Sequence, residues 1–426
     1  MPAERALLVT VQFDPRFARV GAWTIDDEAA ELRELARGAG CQVVDEASAK
    51  RHEPVAATLL GSGKLEELAQ RARAARANLI VFSQELSPAQ QRNIEQELGA
   101  KTIDRTQLIL DVFAQRARSQ EGKVQVELAQ LRYLLPRLVG KGILLSRLGG
   151  GIGTRGPGEQ KLEMDRRRIR TRLGRLGDEL KQLARRREAT RARRHEADVP
   201  VVALVGYTNA GKTTLLNRLS GAGAATRDQL FTTLDPLARR ARLPGGEPVI
   251  LTDTVGFLHQ LPHHLIEAFH ATLEEARGAD LLLHVLDMSH PRVDDHARAV
   301  AAVLGELGLE DKPLVTALNK RDLLQGRPLA AAELRALEQA YAPAAAISAK
   351  TGEGLDALGA LISARLGMTR EPPTKLRIPA ERSDALALLY RAGQVVSRRE
   401  HDGVVDVAAR LSGPVRAALA QYILPT

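Results

Sequence analysis

Cysteine is almost missing from this chain: Cys41 is the one thiol in 426 residues. A single cysteine excludes an internal disulfide and suits a reducing compartment, and its expected place is a buried strand rather than a catalytic position. Aromatic residues are scarce too, at 3% with one tryptophan, which favours contact with nucleic acid by charge and shape over stacking on bases. No apolar run approaches the roughly 20 residues of a membrane-spanning helix. The N-terminal residues from Met1 to Thr10 lack the layout of a secretory signal. Together these absences predict a cytoplasmic protein with no membrane span.

What the chain has in excess is positive charge, 61 Lys and Arg against 52 Asp and Glu, and most of that excess sits in one place. Residues 155–198 hold 15 Lys and Arg against 8 Asp and Glu, a net of +7 within a total of +9. Arg166-Arg167-Arg168, Arg185-Arg186-Arg187, Arg191, Arg193 and Arg194 form a footprint for a polyanion. The plainer alternative is a solvated coiled-coil face, which would gain more by alternating its charges at i,i+4 spacing. The same segment carries an apolar seam, Leu162, Ile169, Leu173, Leu176, Leu180 and Leu183, at coiled-coil period. Upstream, Val124, Leu128, Leu131, Leu135 and Leu138 offer a partner helix that Pro136 is expected to kink. An antiparallel helical hairpin with a glycine-rich tip at 149–158 follows, its second helix extending roughly 55 Å at about 1.5 Å per residue. Gly151, Thr154, Arg155 and Gly156 at the tip, with Arg166, Arg167 and Arg168, are the candidate RNA contacts. A flexible linker is the alternative for so glycine-rich a stretch.

The chemistry lies further on. Gly206-Tyr207-Thr208-Asn209-Ala210-Gly211-Lys212-Thr213 follows the apolar run 201–205 and opens a helix that continues with Thr214. Strand, glycine-rich turn and helix together present backbone N–H groups and a positive helix end to a polyphosphate. Lys212 reaches the β/γ oxygens and the Thr213 hydroxyl ligates Mg²⁺. Asp253-Thr254-Val255-Gly256 ends the next strand, where open α/β sheets bind ligands. Asp253 is expected to hold Mg²⁺ through water, and Gly256 to offer its N–H to the γ-phosphate and permit a switch. Asn319-Lys320-Arg321-Asp322 ends a further strand. A carboxylate accepts hydrogen bonds only, so Asp322 suits the two donors of guanine, N1–H and the 2-amino group, and not adenine. Ser348-Ala349-Lys350 then closes the other side of the base. Between the phosphate loop and Asp253 stands Phe231-Thr232-Thr233, of which Thr233 is the expected switch residue and second Mg²⁺ ligand. Lys212, Thr233 and Gly256 are the expected catalytic groups for hydrolysis of GTP to GDP.

One position departs from a common GTPase pattern. The residue after the Asp-x-x-Gly element is often a glutamine that orients the attacking water, and here it is Phe257. Hydrolysis is therefore expected to be slow alone and to rely on backbone groups, a bound cation or a partner. The alternative is that Phe257 packs beneath the switch of a binding-only protein. Asn209 stands where GTPases that use K⁺ as an extra cation carry asparagine, so K⁺ is expected beside Mg²⁺.

The first 120 or so residues read as a separate α/β unit, with strands at 6–13, 42–44 and 78–82 and helices at 28–36, 65–75, 89–98 and 106–116. Gly61-Ser62-Gly63-Lys64 is not a second phosphate loop, because Thr58 and Leu65 stand where glycine and a Mg²⁺-binding hydroxyl are needed. The tail suggests a small β-α-β-β unit with Gly403 in a turn. The predicted fold class is α/β: a P-loop domain at 198–368, a mostly parallel sheet with helices on both faces. It is preceded by an α/β domain at 1–120 and the hairpin at 121–197, and followed by a small α+β domain at 369–426.

These motifs resemble the HflX family of ribosome-associated bacterial GTPases over nearly the whole chain. The most specific likeness lies in Gly150-Gly151-Ile152-Gly153-Thr154-Arg155-Gly156-Pro157-Gly158-Glu159 and in Phe231-Thr232-Thr233-Leu234-Asp235-Pro236. Asp253-Thr254-Val255-Gly256-Phe257 with Leu261-Pro262, Ala268-Phe269 and Thr272-Leu273-Glu274-Glu275 adds to it. Gln160-Lys161 and Thr232 depart from the residues common in the family, Thr-Gln and alanine. The resemblance implies a GTPase that binds the large ribosomal subunit, inserts the glycine-rich tip into rRNA, and splits or rescues stalled ribosomes; a monomer is expected. Two other readings remain at this point: a GTPase of ribosome assembly or RNA modification, and an RNA-binding or remodelling protein for which nucleotide is only a ligand.

Overall fold

A computed structural model describes residues 3–14, 23–138, 157–195, 199–221, 237–258, 275–324, 331–368, 374–401, 403–411 and 413–424. Three sheets succeed one another along the chain. The first is parallel, in the order β2-β1-β3-β4, from β1 (Arg5–Phe13), β2 (Gln42–Arg51), β3 (Leu79–Phe82) and β4 (Lys101–Asp104). Six consecutive residues of β1 are buried because helices cover both faces, the usual fate of a central parallel strand. On one face lie α1 (Ile25–Gly38) and α4 (Arg105–Arg116), on the other α2 (Ser62–Ala74) and α3 (Pro88–Leu98). A capping box sets the start of α1: Thr24 accepts from the Asp27 N–H, and Asp27 accepts from the Thr24 N–H at 2.9 Å.

The structure corrects two expectations here. β2 is ten residues long where three were expected, and β4 was not foreseen. The second half of β2 is polar, with only Ala47 and Ala49 turned inward. Arg71 of α2 holds that edge, bonding the Asp45 carboxylate at 2.6 and 2.8 Å and the Glu46 carbonyl at 2.7 Å.

Helix α5 (Gln120–Arg137) pairs antiparallel with α6 (Pro157–His195), a helix of 39 residues. Val124 and Leu128 meet Leu176 in the seam, flanked by Leu131, Leu173 and Leu180. Gln120 donates to Glu179 at 2.8 Å and Arg172 donates twice to Glu127 at 2.7 Å, which fixes the direction of the pair. Pro136 sits in the last turn of α5, next to its final residue Arg137, and the residues that its expected kink would redirect lie outside the described ones.

The second sheet has the order β10-β9-β8-β5-β7-β6. Its strands are β5 (Val201–Val205), β6 (Leu237–Arg242), β7 (Pro248–Asp253), β8 (Leu281–Asp287), β9 (Leu314–Asn319) and β10 (Ala344–Ala346). All pair parallel except β6, an edge strand antiparallel to β7 that sequence periodicity did not reveal. Helices α7 (Lys212–Ser220) and α10 (Leu355–Arg365) cover one face, and α8 (Val293–Glu306) covers the other. Helix α9 (Ala331–Ala340) packs near β10.

The third sheet is antiparallel, β11-β13-β12, from β11 (Thr374–Pro379), β12 (Gln394–His401) and β13 (Val404–Arg410). Helices α11 (Ser383–Ala392) and α12 (Gly413–Ala418) accompany it over a core of Leu376, Ile378, Leu389, Val405 and Val407. Gly403, at φ 73°, makes the turn between β12 and β13.

Candidate functional site

The carboxyl ends of β5, β7 and β9 converge on the phosphate loop. Two of its glycines are irreplaceable on steric grounds. Gly206 has φ 156° and a Cβ there would lie 2.3 Å from the Val285 carbonyl oxygen; Gly211 has φ 96° and a Cβ would lie 2.3 Å from Asn319 Nδ2. Asn209, exposed, takes a left-handed φ of 60°, a conformation that asparagine tolerates better than most side chains. Lys212 opens α7, and its Nζ donates to the carbonyls of Gly206 and Tyr207 at 3.0 Å each. Burial pushes the Lys212 ammonium down to about 8, against the pull of the nearby Asp253 carboxylate. His284 on β8 is buried beside it and pushed down to about 4, by burial first and by the lysine charge second.

Asp253 is fully buried at the end of β7 and accepts from the Thr213 hydroxyl at 2.7 Å. Two hard oxygen donors so placed fit Mg²⁺, which favours carboxylate and hydroxyl oxygens shared with a substrate phosphate. Thr214 follows on α7, half-buried. Thr254 turns inward and donates to the Leu204 carbonyl at 2.7 Å, and Val255 packs into the core of the first sheet, so their backbone is what faces the loop. At Gly256 a Cβ would lie 2.8 Å from Thr208 Cγ2 and 3.0 Å from Lys212 Nζ. Glycine alone lets the backbone come this close to the lysine. The Thr208 N–H donates to the Phe257 carbonyl at 2.8 Å and the Phe257 N–H to the Gly206 carbonyl at 3.1 Å, tying the two loops together. The Phe257 ring is 2% exposed among Ala203, Val205, Leu282 and Val300. It anchors the loop in the core and offers nothing to a water molecule.

Asn319 cross-links three segments: its Nδ2 donates to the Ala210 carbonyl at 2.8 Å and its Oδ1 accepts from the Ala349 N–H at 2.9 Å. Lys320, at φ 67°, places its Nζ 2.8 Å from Asp287. Ser348 donates to Asp322 at 2.7 Å and so orients the carboxylate. Arg218 of α7 holds the carbonyls of Ala349 and Lys350 from below. The residues read as one nucleotide site are thus brought together. Phe231, Thr232 and Thr233 lie outside the described residues, as do Gly151, Thr154, Arg155 and Gly156. On α6, Arg167 and Arg168 are exposed and Arg166 half-buried; among the described residues the ion pairs here are long and within the helix, Arg166–Glu163 at 3.7 Å and Arg168–Asp165 at 3.6 Å.

Sequence reasoning missed what surrounds Tyr207. Its ring stacks on His296 of α8 with centroids 3.9 Å apart and planes at 5°, and its hydroxyl donates to Glu31 of α1. Arg105 pairs with the same Glu31, and Arg292 with Asp27 at 2.5 Å. Nearby Glu28 is pushed up to about 7 by burial. No motif spacing signals a contact between residues 176 positions apart.

Family models match along the chain: a GTP-binding GTPase N-terminal region at 26–114, a GTP-binding GTPase middle region at 116–194, a 50S ribosome-binding GTPase at 201–320 and an HflX C-terminal domain at 334–422. The GTPase HflX of Caldanaerobacter subterraneus subsp. tengcongensis is 45% identical over 422 residues, 99% of this chain and 94% of that protein. The GTPase HflX of Escherichia coli is 41% identical over 414 residues, 96% of this chain and 93% of that protein. Among solved structures, a GDP complex of SsGBP aligns at a TM-score of 0.49 with 26% identity, over 86% of this chain and 99% of that one.

Proposed function

The chain belongs to the HflX family of GTPases and hydrolyses GTP, and from that premise we propose that it docks on the large ribosomal subunit to split or rescue stalled ribosomes. The observation that carries the docking is α6: 39 residues of helix, paired along one seam only, bearing exposed arginines on its free side. A helix of that length gives a basic surface long enough to meet many phosphates along one RNA element. Surface arginines held only by long pairs are available to phosphates. The division at 1–120, 121–197, 198–368 and 369–426 belongs to the same proposal, and the succession of three sheets and a helical pair along the chain supports it.

At the site, the phosphate loop N–H groups and Lys212 would hold the β/γ oxygens, and Thr213 and Thr233, with Asp253 through water, would hold Mg²⁺. The metal would supply charge neutralisation between those oxygens. Gly256 offers its N–H to the γ-phosphate from the position its missing Cβ allows, and Asp322, oriented by Ser348, selects guanine. With Phe257 in the core, the attacking water must be oriented by backbone groups, by K⁺ held near Asn209, or by the docked subunit. Turnover of GTP with and without purified large subunits, in K⁺ and in Na⁺ buffer at two salt concentrations, tests this. Strong, salt-sensitive stimulation is expected, faster in K⁺. Bound GTP with no stimulation by subunits would overturn the docking, and equal rates in the two buffers would remove K⁺.

A further inference from the structure

We propose that Glu31, on α1 of the first sheet, is a positioning residue for the phosphate loop: by holding Tyr207 against His296, it sets the rate at which the loop releases guanine nucleotide. Tyr207 is the second residue of the loop, and it is restrained on every side. Its hydroxyl donates to Glu31, its ring lies flat on His296, its carbonyl accepts from Lys212 Nζ at 3.0 Å, and its backbone bridges to that of Phe257. The peptide that carries Tyr207 therefore fixes both the lysine and the Asp-x-x-Gly loop.

Two of the four restraints come from side chains outside every nucleotide motif. The Glu31 carboxylate is itself held by Arg105, at the start of α4, so the acceptor is anchored to the sheet behind it and not to a free side chain. Val255 and Leu258, on either side of Gly256, sit in the same apolar cluster as Trp23, Leu32 and Leu108. Any change at the γ-phosphate that moves the Asp-x-x-Gly loop is thus felt by α1, and by linkage the seating of α1 acts back on nucleotide affinity. Loosening Tyr207 costs the loop its preformed shape, which raises dissociation more than association.

The direct measurement is release of fluorescently labelled GDP from the full chain. Tyr207→Phe removes only the hydroxyl, and Glu31→Ala removes the acceptor. Each is expected to speed release about five- to tenfold, the size of one ordinary net intramolecular hydrogen bond. The double variant should be no faster than either single one, because both delete the same contact. Glu31→Gln, whose amide oxygen still accepts the hydroxyl, should restore release towards the native rate. Asp27→Asn weakens the neighbouring pair with Arg292 without touching Tyr207 and should stay near native. Unchanged or slower release in Tyr207→Phe would overturn the proposal, as would an equal acceleration in Asp27→Asn, which would mean general domain seating.

Trp23 gives a second readout in the unmodified protein. It is the chain's one tryptophan, with its ring 6.0 Å from His296 and 6.5 Å from Tyr207. Its emission should change when GDP binds, and that change should shrink in Glu31→Ala. Emission indifferent to GDP in the native chain would also count against the coupling.

Discussion

Lys212, proposed above to hold the β/γ oxygens, is the group that makes the site sensitive to pH. Its ammonium is buried, donates to two loop carbonyls, and is pushed down to about 8 by burial. A polyphosphate needs the charged form, so affinity for GTP is full below pH 8 and falls as pH rises through it, by about tenfold per unit well above that point. Titration calorimetry at pH 7, 8 and 9 checks this, and an affinity constant across that range would contradict it. The sign for stability is the opposite. Between about 8 and the ordinary 10.5 the unfolded chain binds a proton that the folded one lacks. The lysine's burden on the nucleotide-free fold is therefore present below pH 8 and relieved as pH rises through that window. Phe257 makes the complementary point. A glutamine there would put an amide into the cluster of Ala203, Leu282 and Val300. We expect Phe257→Gln to lose about 3 kcal/mol or more of stability in denaturant unfolding, from lost burial and an unsatisfied polar group. It should gain no hydrolytic rate, and a faster variant would refute the anchoring role.

At the scale of elements, what could be read from the sequence is what local chemistry dictates. The phosphate loop needs left-handed glycines at two places, so Gly206 and Gly211 were visible, and the α5–α6 seam was visible in its leucine spacing. The polar half of β2 and all of β6 were not, because an edge strand buries one face weakly and its alternation is faint. The Glu31–Tyr207–His296 cluster was invisible for a different reason: only the packing of two sheets brings those residues together. The seam itself makes a prediction. Leu176 is the one fully buried side chain of α6 among the described residues, meeting Val124 and Leu128. The exposed Glu127–Arg172 pair beside it is screened by solvent and contributes little. Leu176→Ala should therefore weaken the helical pair by about 2–4 kcal/mol, where Arg172→Ala does little. Hydrogen exchange should show amides of 163–185 opening faster in the first variant and not in the second, with the second sheet protected in both.

At the scale of the whole molecule, the charge asymmetry is what the proposed docking can be tested on. A net of +7 in residues 155–198 leaves only +2 for the remainder of the +9 chain, so the field points along one helix. The arginines at 166, 167 and 168 sit near the end of α6 that leads from the glycine-rich segment, and their pairs at 3.6 Å and beyond do not neutralise them. Binding to RNA by such groups releases counterions, so log affinity falls linearly with log salt at about 0.7 to 0.9 per phosphate contact. Replacing all three arginines by alanine should lower that slope by about two to three and weaken binding to large subunits most at low salt. Co-sedimentation from 50 to 300 mM KCl, about the range over which the Debye length shrinks from 14 to 6 Å, measures it, with GDP affinity as the check on folding. A slope identical to that of the native chain would place the docking contacts elsewhere and leave α6 a solvated strut. A reduced slope with binding recovered at no salt would assign the recognition to charge along this helix, which is the one feature the sparse aromatic content left open.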